Sequence, residues 1–211
     1  LEKNKNHPHV NLNVAKAYFF DKNYDEAEKY YKIAKKLDGQ SDKFKKNYSL
    51  FLLFKQEYQK EWAIIDGRLK LQDFLIPGEW LDNFRDKIWT GGVLNKSEKV
   101  LIVKEQGVGD EILYSSMFSE VLKYFNNCKI EADERLLKIF KRSFNTKNIF
   151  KNTTISKDKE ALKEIDKVIF AFDLPKLFRN SINDFNKKPG YLKPDITMKK
   201  NIELELKAIT N

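Results

Sequence analysis

Cysteine is almost absent. Cys128 is the only one in 211 residues, so no disulfide can form within the chain, and a reducing, cytoplasmic compartment is expected. Histidine is equally scarce: His7 and His9 flank Pro8, no further ligand types stand near them, and the pair reads as an exposed chain end with no metal site. No apolar run approaches the ~18 residues of a membrane span. There is no signal peptide, and a first residue of Leu1 instead of Met suggests a fragment or a processed form. The G-x-x-x-x-G-K-[ST] pattern is missing, which excludes a P-loop kinase or ATPase. The net charge of +9 has no dense basic cluster behind it. Lysines are spread along the whole chain, a pattern that fits a solvated surface and no nucleic-acid partner. At 41% hydrophobic residues the chain is globular and long enough to bury a core.

What is there is organised around Val100 to Phe125, VLIVKEQGVGDEILYSSMFSEVLKYF. Val100–Val103 is a short apolar, mostly β-branched run, which predicts a buried strand. A polar loop, Lys104 to Gly109, follows. From near Asp110 the apolar positions Leu113, Met117, Val121 and Tyr124 recur every three or four residues and predict one amphipathic helix. Strand, glycine turn and helix make the opening unit of an α/β sheet. Ligands bind such sheets beyond the carboxyl ends of the strands, where helix N-termini point. Gly107 and Gly109 are expected to let the loop turn tightly there. Asp110 stands at its mouth as either a ligand-facing carboxylate or a helix cap.

The same unit must be compared with the dinucleotide fingerprint. Gly107 and Gly109 supply G-x-G, but Ile112 replaces the third glycine, which normally permits close helix–strand packing. Glu131, about 20 residues on, is the candidate for a ribose hydroxyl in that alternative. Further strands are predicted at Cys128–Ala132, weakly at Asn148–Ile155, and at Lys167–Phe172. Helices are predicted at Glu134–Phe144 and near Asn201–Asn211. Alternating strands and helices imply a parallel sheet. Between this region and the N-terminus, Pro77-Gly78 and Gly91-Gly92 punctuate a segment rich in Trp80, Phe84 and Trp89. That segment is expected to pin the helical region onto the sheet domain.

The N-terminal part reads as paired helices. The first carries Val14, Ala15 and Tyr18 and opens at Pro8; the second carries Ala27, Tyr30, Tyr31, Ala34 and Leu37 and ends at Gly39. Asn23 and Glu26 form a capping pair. Small residues at Ala15, Ala27 and Ala34 and aromatics at Tyr18 and Tyr31 resemble the tetratricopeptide repeat. Its ~34-residue period predicts a second, degenerate unit from about Asp42, with Ser49 and Glu61 at small-residue positions. Two units fall short of the three an array usually needs, so repeats are expected upstream or against the next domain. A generic pair of helical hairpins is the alternative.

Several stretches together carry a second resemblance. EQGVGDEILYSSMF follows a strand and is preceded by Trp89-Thr90-Gly91-Gly92-Val93-Leu94. Glu61–Arg68 keeps Trp62 and Arg68 of a tryptophan- and arginine-containing lead-in. Asp173-Leu174-Pro175 is followed by Leu177 and Phe178, and then comes Gly190-Tyr191-Leu192-Lys193-Pro194-Asp195. In this order they resemble bacterial tetratricopeptide-linked proteins with a GT-B glycosyltransferase-like domain, similar to heptosyltransferases and O-GlcNAc transferases. The resemblance runs from about Tyr58 to Asp195. It implies an α+α/β chain: tetratricopeptide-like repeats over residues 1–74, a packed connector over 75–98, and a Rossmann-like N-terminal half-domain over 99–211. It also implies that this half holds the acceptor, a sugar or protein, at the glycine loop. The nucleotide-sugar donor would be bound by a second half missing here, and no cofactor is expected in this chain. By the same resemblance Asp110 is the base, while Gly107 and Gly109 shape the loop. Glu105 and Gln106 are candidates to contact the acceptor. Glu111 is expected to be solvated. A protein or peptide partner is expected on the repeats. The alternative of another class is a non-catalytic repeat scaffold.

Overall fold

A computed structural model of the chain describes residues 6–65, 78–105, 107–185 and 190–210. Gln106, Arg68 and Pro77, all singled out above, lie outside the described residues. The layout is α+α/β: N-terminal helices, then a four-stranded, all-parallel sheet with helices between its strands. The chain divides into two compact units, Leu1–Phe74 with Arg179–Phe185, and Leu75–Phe178 with Asn186–Asn211.

The helical unit contains α1 (Pro8–Phe20), α2 (Tyr24–Asp38), α3 (Asp42–Phe54) and the short α4 (Tyr58–Trp62). Pro8 sits at the first turn of α1, where its missing N–H costs nothing. Asn23 caps α2 by accepting from the Glu26 N–H at 3.4 Å, and Ser41 caps α3 by accepting from the Phe44 N–H at 3.3 Å. Ala15, Ala27 and Ala34 are fully buried among Leu12, Tyr31, Phe44 and Phe51, so the small side chains stand where the helices approach most closely. Burial also pushes the Tyr31 hydroxyl up to about 12.

The two inter-helix turns repeat each other. Lys22 and Gln56 both adopt left-handed backbone, with φ of 61° and 59°, and are one ~34-residue period apart. Around them Lys22 N–H donates to Phe19 O and Asn23 N–H to Tyr18 O. Gln56 N–H donates to Leu53 O and Glu57 N–H to Leu52 O in the same pattern. The α1–α2 and α3–α4 turns therefore share one backbone conformation.

In the second unit α5 (Gly78–Asp82) leads to β1 (Lys99–Val103), then α6 (Val108–Ser115), α7 (Phe118–Tyr124), β2 (Asn127–Ala132), α8 (Leu137–Phe144) and β3 (Ile149–Lys151). After these come α9 (Lys159–Lys163), β4 (Lys167–Phe170), α10 (Leu174–Phe178) and α11 (Ile196–Thr210). The sheet order is β3-β2-β1-β4. Val100 to Val103 are completely buried, as suits a central parallel strand covered on both faces. The single helix expected after β1 is two. Ser115 and Ser116 turn their hydroxyls back onto Ile112 O and Leu113 O at 2.8 and 2.7 Å, and α6 ends there; such local bonds compete with the helical ladder.

The aromatic connector belongs to this second unit. Trp89 N–H donates to Val168 O, Ile88 bridges Val168 in parallel, and the Phe84 ring meets that of Phe170. These contacts extend the β4 side of the sheet.

Candidate functional site

The strand order creates the site. From β1 the chain moves to β2 and β3 on one side, then crosses to β4 on the other, so the topological switch point lies at the carboxyl ends of β1 and β4. The loop after β1 and the turn Ala171–Asp173 after β4 meet there, with the Tyr114 and Phe172 rings 5.1 Å apart. Asp173 is fully buried and pairs with Lys176 at 2.9 Å.

Asp110 occupies the third position of α6 and is half-buried. One carboxylate oxygen, Oδ2, accepts from the Gly107 N–H at 3.2 Å and closes the helix start. The other, Oδ1, meets no partner among the described residues. Asp110 is thus both a cap and a half-free carboxylate. Neither loop glycine is demanded by the backbone. Gly107 is extended, with φ −74° and ψ 174°, and Gly109 is helical; a Cβ on Gly109 would meet nothing within 4 Å. The expected tight turn does not depend on them. Among the described residues the positions that do need glycine are Gly91, Gly92 and Gly190, with φ of 123°, 91° and 70°.

Glu105 is 5% exposed and held inside the unit. Glu111, expected in solvent, is 4% exposed. Its Oε2 accepts from the Asp133 N–H at 2.8 Å and its Oε1 lies 3.1 Å from Lys104 Nζ. The expectation failed because solvation was inferred for α6 alone, whereas the exit of β2 covers this face of it. Burial raises the Glu111 carboxyl above its ordinary value, opposed by the Asp133 N–H and Lys104. Lys104 also donates to Asp133 Oδ2 at 3.3 Å. Arg135 grips both oxygens of Asp133, Nε at 2.8 Å and Nη2 at 3.1 Å. This bidentate grip, with the Arg135 N–H and Lys104, holds the Asp133 carboxyl well below the usual range.

Beside this network lies an open basin of about 580 Å³, lined by Lys104, Asp133, Glu134, Arg135, Lys151, Asn152 and Thr153. Its walls are the end of β3 and the residues just beyond β1, β2 and β3. Thr153 has a φ of 66°, an unfavourable backbone for a β-branched residue. Sequence reasoning missed Lys104, Asp133 and Arg135. The available signal was position: each follows a predicted strand at its carboxyl end.

Glu131, the candidate for a ribose hydroxyl, is consumed by structure. It accepts from Ile155 N–H at 2.5 Å, Ser156 N–H at 2.9 Å and Ser156 Oγ at 2.6 Å, and Ser156 Oγ in turn accepts from the Trp80 indole at 2.7 Å. The dinucleotide alternative therefore loses its carboxylate. Gly190–Asp195 straps the unit: Tyr191 donates to Ile112 O, the Lys193 N–H donates to Ser143 Oγ at 2.8 Å, and Arg142 Nε donates to Lys193 O at 2.8 Å. Among the described residues no group of histidine, cysteine and carboxylate side chains is arranged for a metal ion, and no helix is long and apolar enough to cross a membrane.

No family model, curated protein or solved structure matches this chain.

Proposed function

We propose that the α/β unit is the acceptor-side half of a nucleotide-sugar-dependent glycosyltransferase, joined to tetratricopeptide-like repeats that bind protein and working in the cytoplasm. The observation that carries this reading is Asp110: a carboxylate at a helix start, beyond the carboxyl end of the central parallel strand, with one oxygen committed to the fold and the other free. Transfer of a sugar to a hydroxyl needs a base to remove the proton as the bond forms. Asp110 takes that role, and its tie to Gly107 fixes the direction of the free oxygen.

The neighbouring basin suits a hydroxyl-rich acceptor. Its cations and carboxylates are paired with one another, so it offers donors and acceptors in alternation without a strong field of one sign. The donor nucleotide-sugar belongs to a second Rossmann-like half, and catalysis requires both reactants to be held together. Residues 1–211 alone are therefore expected to transfer no sugar. A transfer assay with radiolabelled nucleotide-sugars tests this: turnover by these residues alone overturns the architecture.

A second reading, a non-catalytic repeat scaffold, is favoured by one observation. The helical unit exposes the large apolar side chains Phe20 at 76%, Leu50 at 54% and Phe54 at 48%, the kind of surface a partner would cover.

A further inference from the structure

The face of α4 that carries Tyr58 and Trp62 is already covered. The cover is a seven-residue segment of the same unit, Arg179–Phe185, far away in sequence. The Trp62 indole donates to the Arg179 carbonyl at 2.7 Å, across 117 positions of chain. The Phe185 ring packs 5.1 Å from that of Tyr58, and the Arg179 guanidinium lies 5.8 Å from the Phe185 ring. The segment also closes on itself. Asp184 Oδ2 accepts from the Asn180 N–H at 2.9 Å, the Ser181 N–H at 2.7 Å and Ser181 Oγ at 3.1 Å. Arg179 is 4% exposed, whereas Ser181 to Phe185 remain exposed at the rim.

This is the chemistry of a bound peptide: one buried arginine anchor, one aromatic contact, one main-chain carbonyl read by an indole, and a preformed turn between them. A preformed turn costs little ordering on binding, and attachment in cis gives it a high effective concentration. We propose that Arg179–Phe185 is an intramolecular ligand of the helical unit, and that a peptide partner bearing the same arginine-to-aromatic spacing reaches the Tyr58–Trp62 face only by displacing it. The inference concerns the repeats and is independent of the glycosyl-transfer reading.

The test uses the full chain and a fluorescently labelled synthetic peptide with the sequence of residues 179–185. The unaltered chain is expected to take up this peptide weakly. The double variant Arg179→Ala, Phe185→Ala, which removes the guanidinium and the ring and leaves only the carbonyl contact to hold the segment, is expected to bind it about 10²-fold more tightly. A variant that keeps its circular dichroism but binds no tighter than the unaltered chain overturns the proposal. If the variant does not fold, hydrogen exchange on the unaltered chain decides. Amides of Asn180, Ser181 and α4 exchanging together through an opening smaller than global unfolding support a displaceable ligand. Exchange of these amides only on global unfolding overturns it.

Discussion

The loops that leave β1 and β2 start side by side at the same edge of one sheet and use their carboxylates in opposite ways. At the β1 exit, Asp110 gives one oxygen to a single backbone N–H, and its other oxygen meets no partner among the described residues. At the end of β2, Glu131 accepts from three donors, the Ile155 N–H, the Ser156 N–H and the Ser156 hydroxyl, and just beyond it Asp133 is held by Arg135 and Lys104. A carboxylate surrounded by donors holds structure together; a carboxylate with an idle oxygen is available for chemistry. The difference separates the residues that should fail by unfolding from the one that should fail by losing turnover.

The largest effect expected is at Glu131. Glu131→Ala leaves three buried donors without an acceptor, each worth about 1–3 kcal/mol, so urea denaturation should show a loss of about 3 kcal/mol or more. A loss under about 1 kcal/mol would mean that water replaces the carboxylate and the contrast between the two loops is weaker than drawn.

The glycines offer a second way to sharpen it. Gly91→Ala forces an L residue to a φ of 123° and should cost about 1–2 kcal/mol. Gly109→Ala adds a Cβ into open space at the start of α6 and should be neutral or stabilising by about 0.5 kcal/mol. Thermal melts of the two variants should move in opposite directions. Equal destabilisation would restore a conformational role to the loop glycine.

The smallest effect is a pH dependence at Glu111. Its folded-state value is raised above the ordinary 4.5 by burial, so the folded protein retains the proton that the unfolded chain releases. The contribution is fully present below 4.5 and is lost as pH rises through the folded value. Relative to the unaltered protein, Glu111→Gln should therefore gain stability between acid and neutral pH. A difference moving the other way would show that Lys104 and the Asp133 N–H outweigh burial.

Much of the fold was legible. Val100–Val103 announces itself as an apolar β-branched run, Cys128–Ala132 also reads as a strand, and Lys167–Phe172 reads as a strand two residues too long, since Ala171 and Phe172 belong to the turn after β4; Ala15, Ala27 and Ala34 mark the helix contacts by their size. Less was legible where tertiary neighbours decide. The break at Ser115–Ser116 depends on hydroxyls competing for carbonyls, which periodicity does not register. Glu111 and Glu131 look like surface and ligand carboxylates until the β2 exit loop and the Ile155–Ser156 turn are placed against them. The two loop glycines drew attention by composition, while the conformational need for glycine lies at Gly91, Gly92 and Gly190. The Arg179–Phe185 segment carries no sequence signal that it packs on α4.

Asp110→Asn tests the central claim most directly. At the third position of α6 the asparagine side-chain oxygen can still accept from the Gly107 N–H, and only the charge at the helix start is lost, at a cost of about 0.3–1 kcal/mol. In a protein that includes a donor-binding half, stability and sugar transfer should be measured on the same preparation. The account predicts a stability loss of no more than about 1 kcal/mol with transfer lowered by about 10²–10⁴-fold. Unchanged turnover would contradict it and leave Asp110 as a helix cap alone.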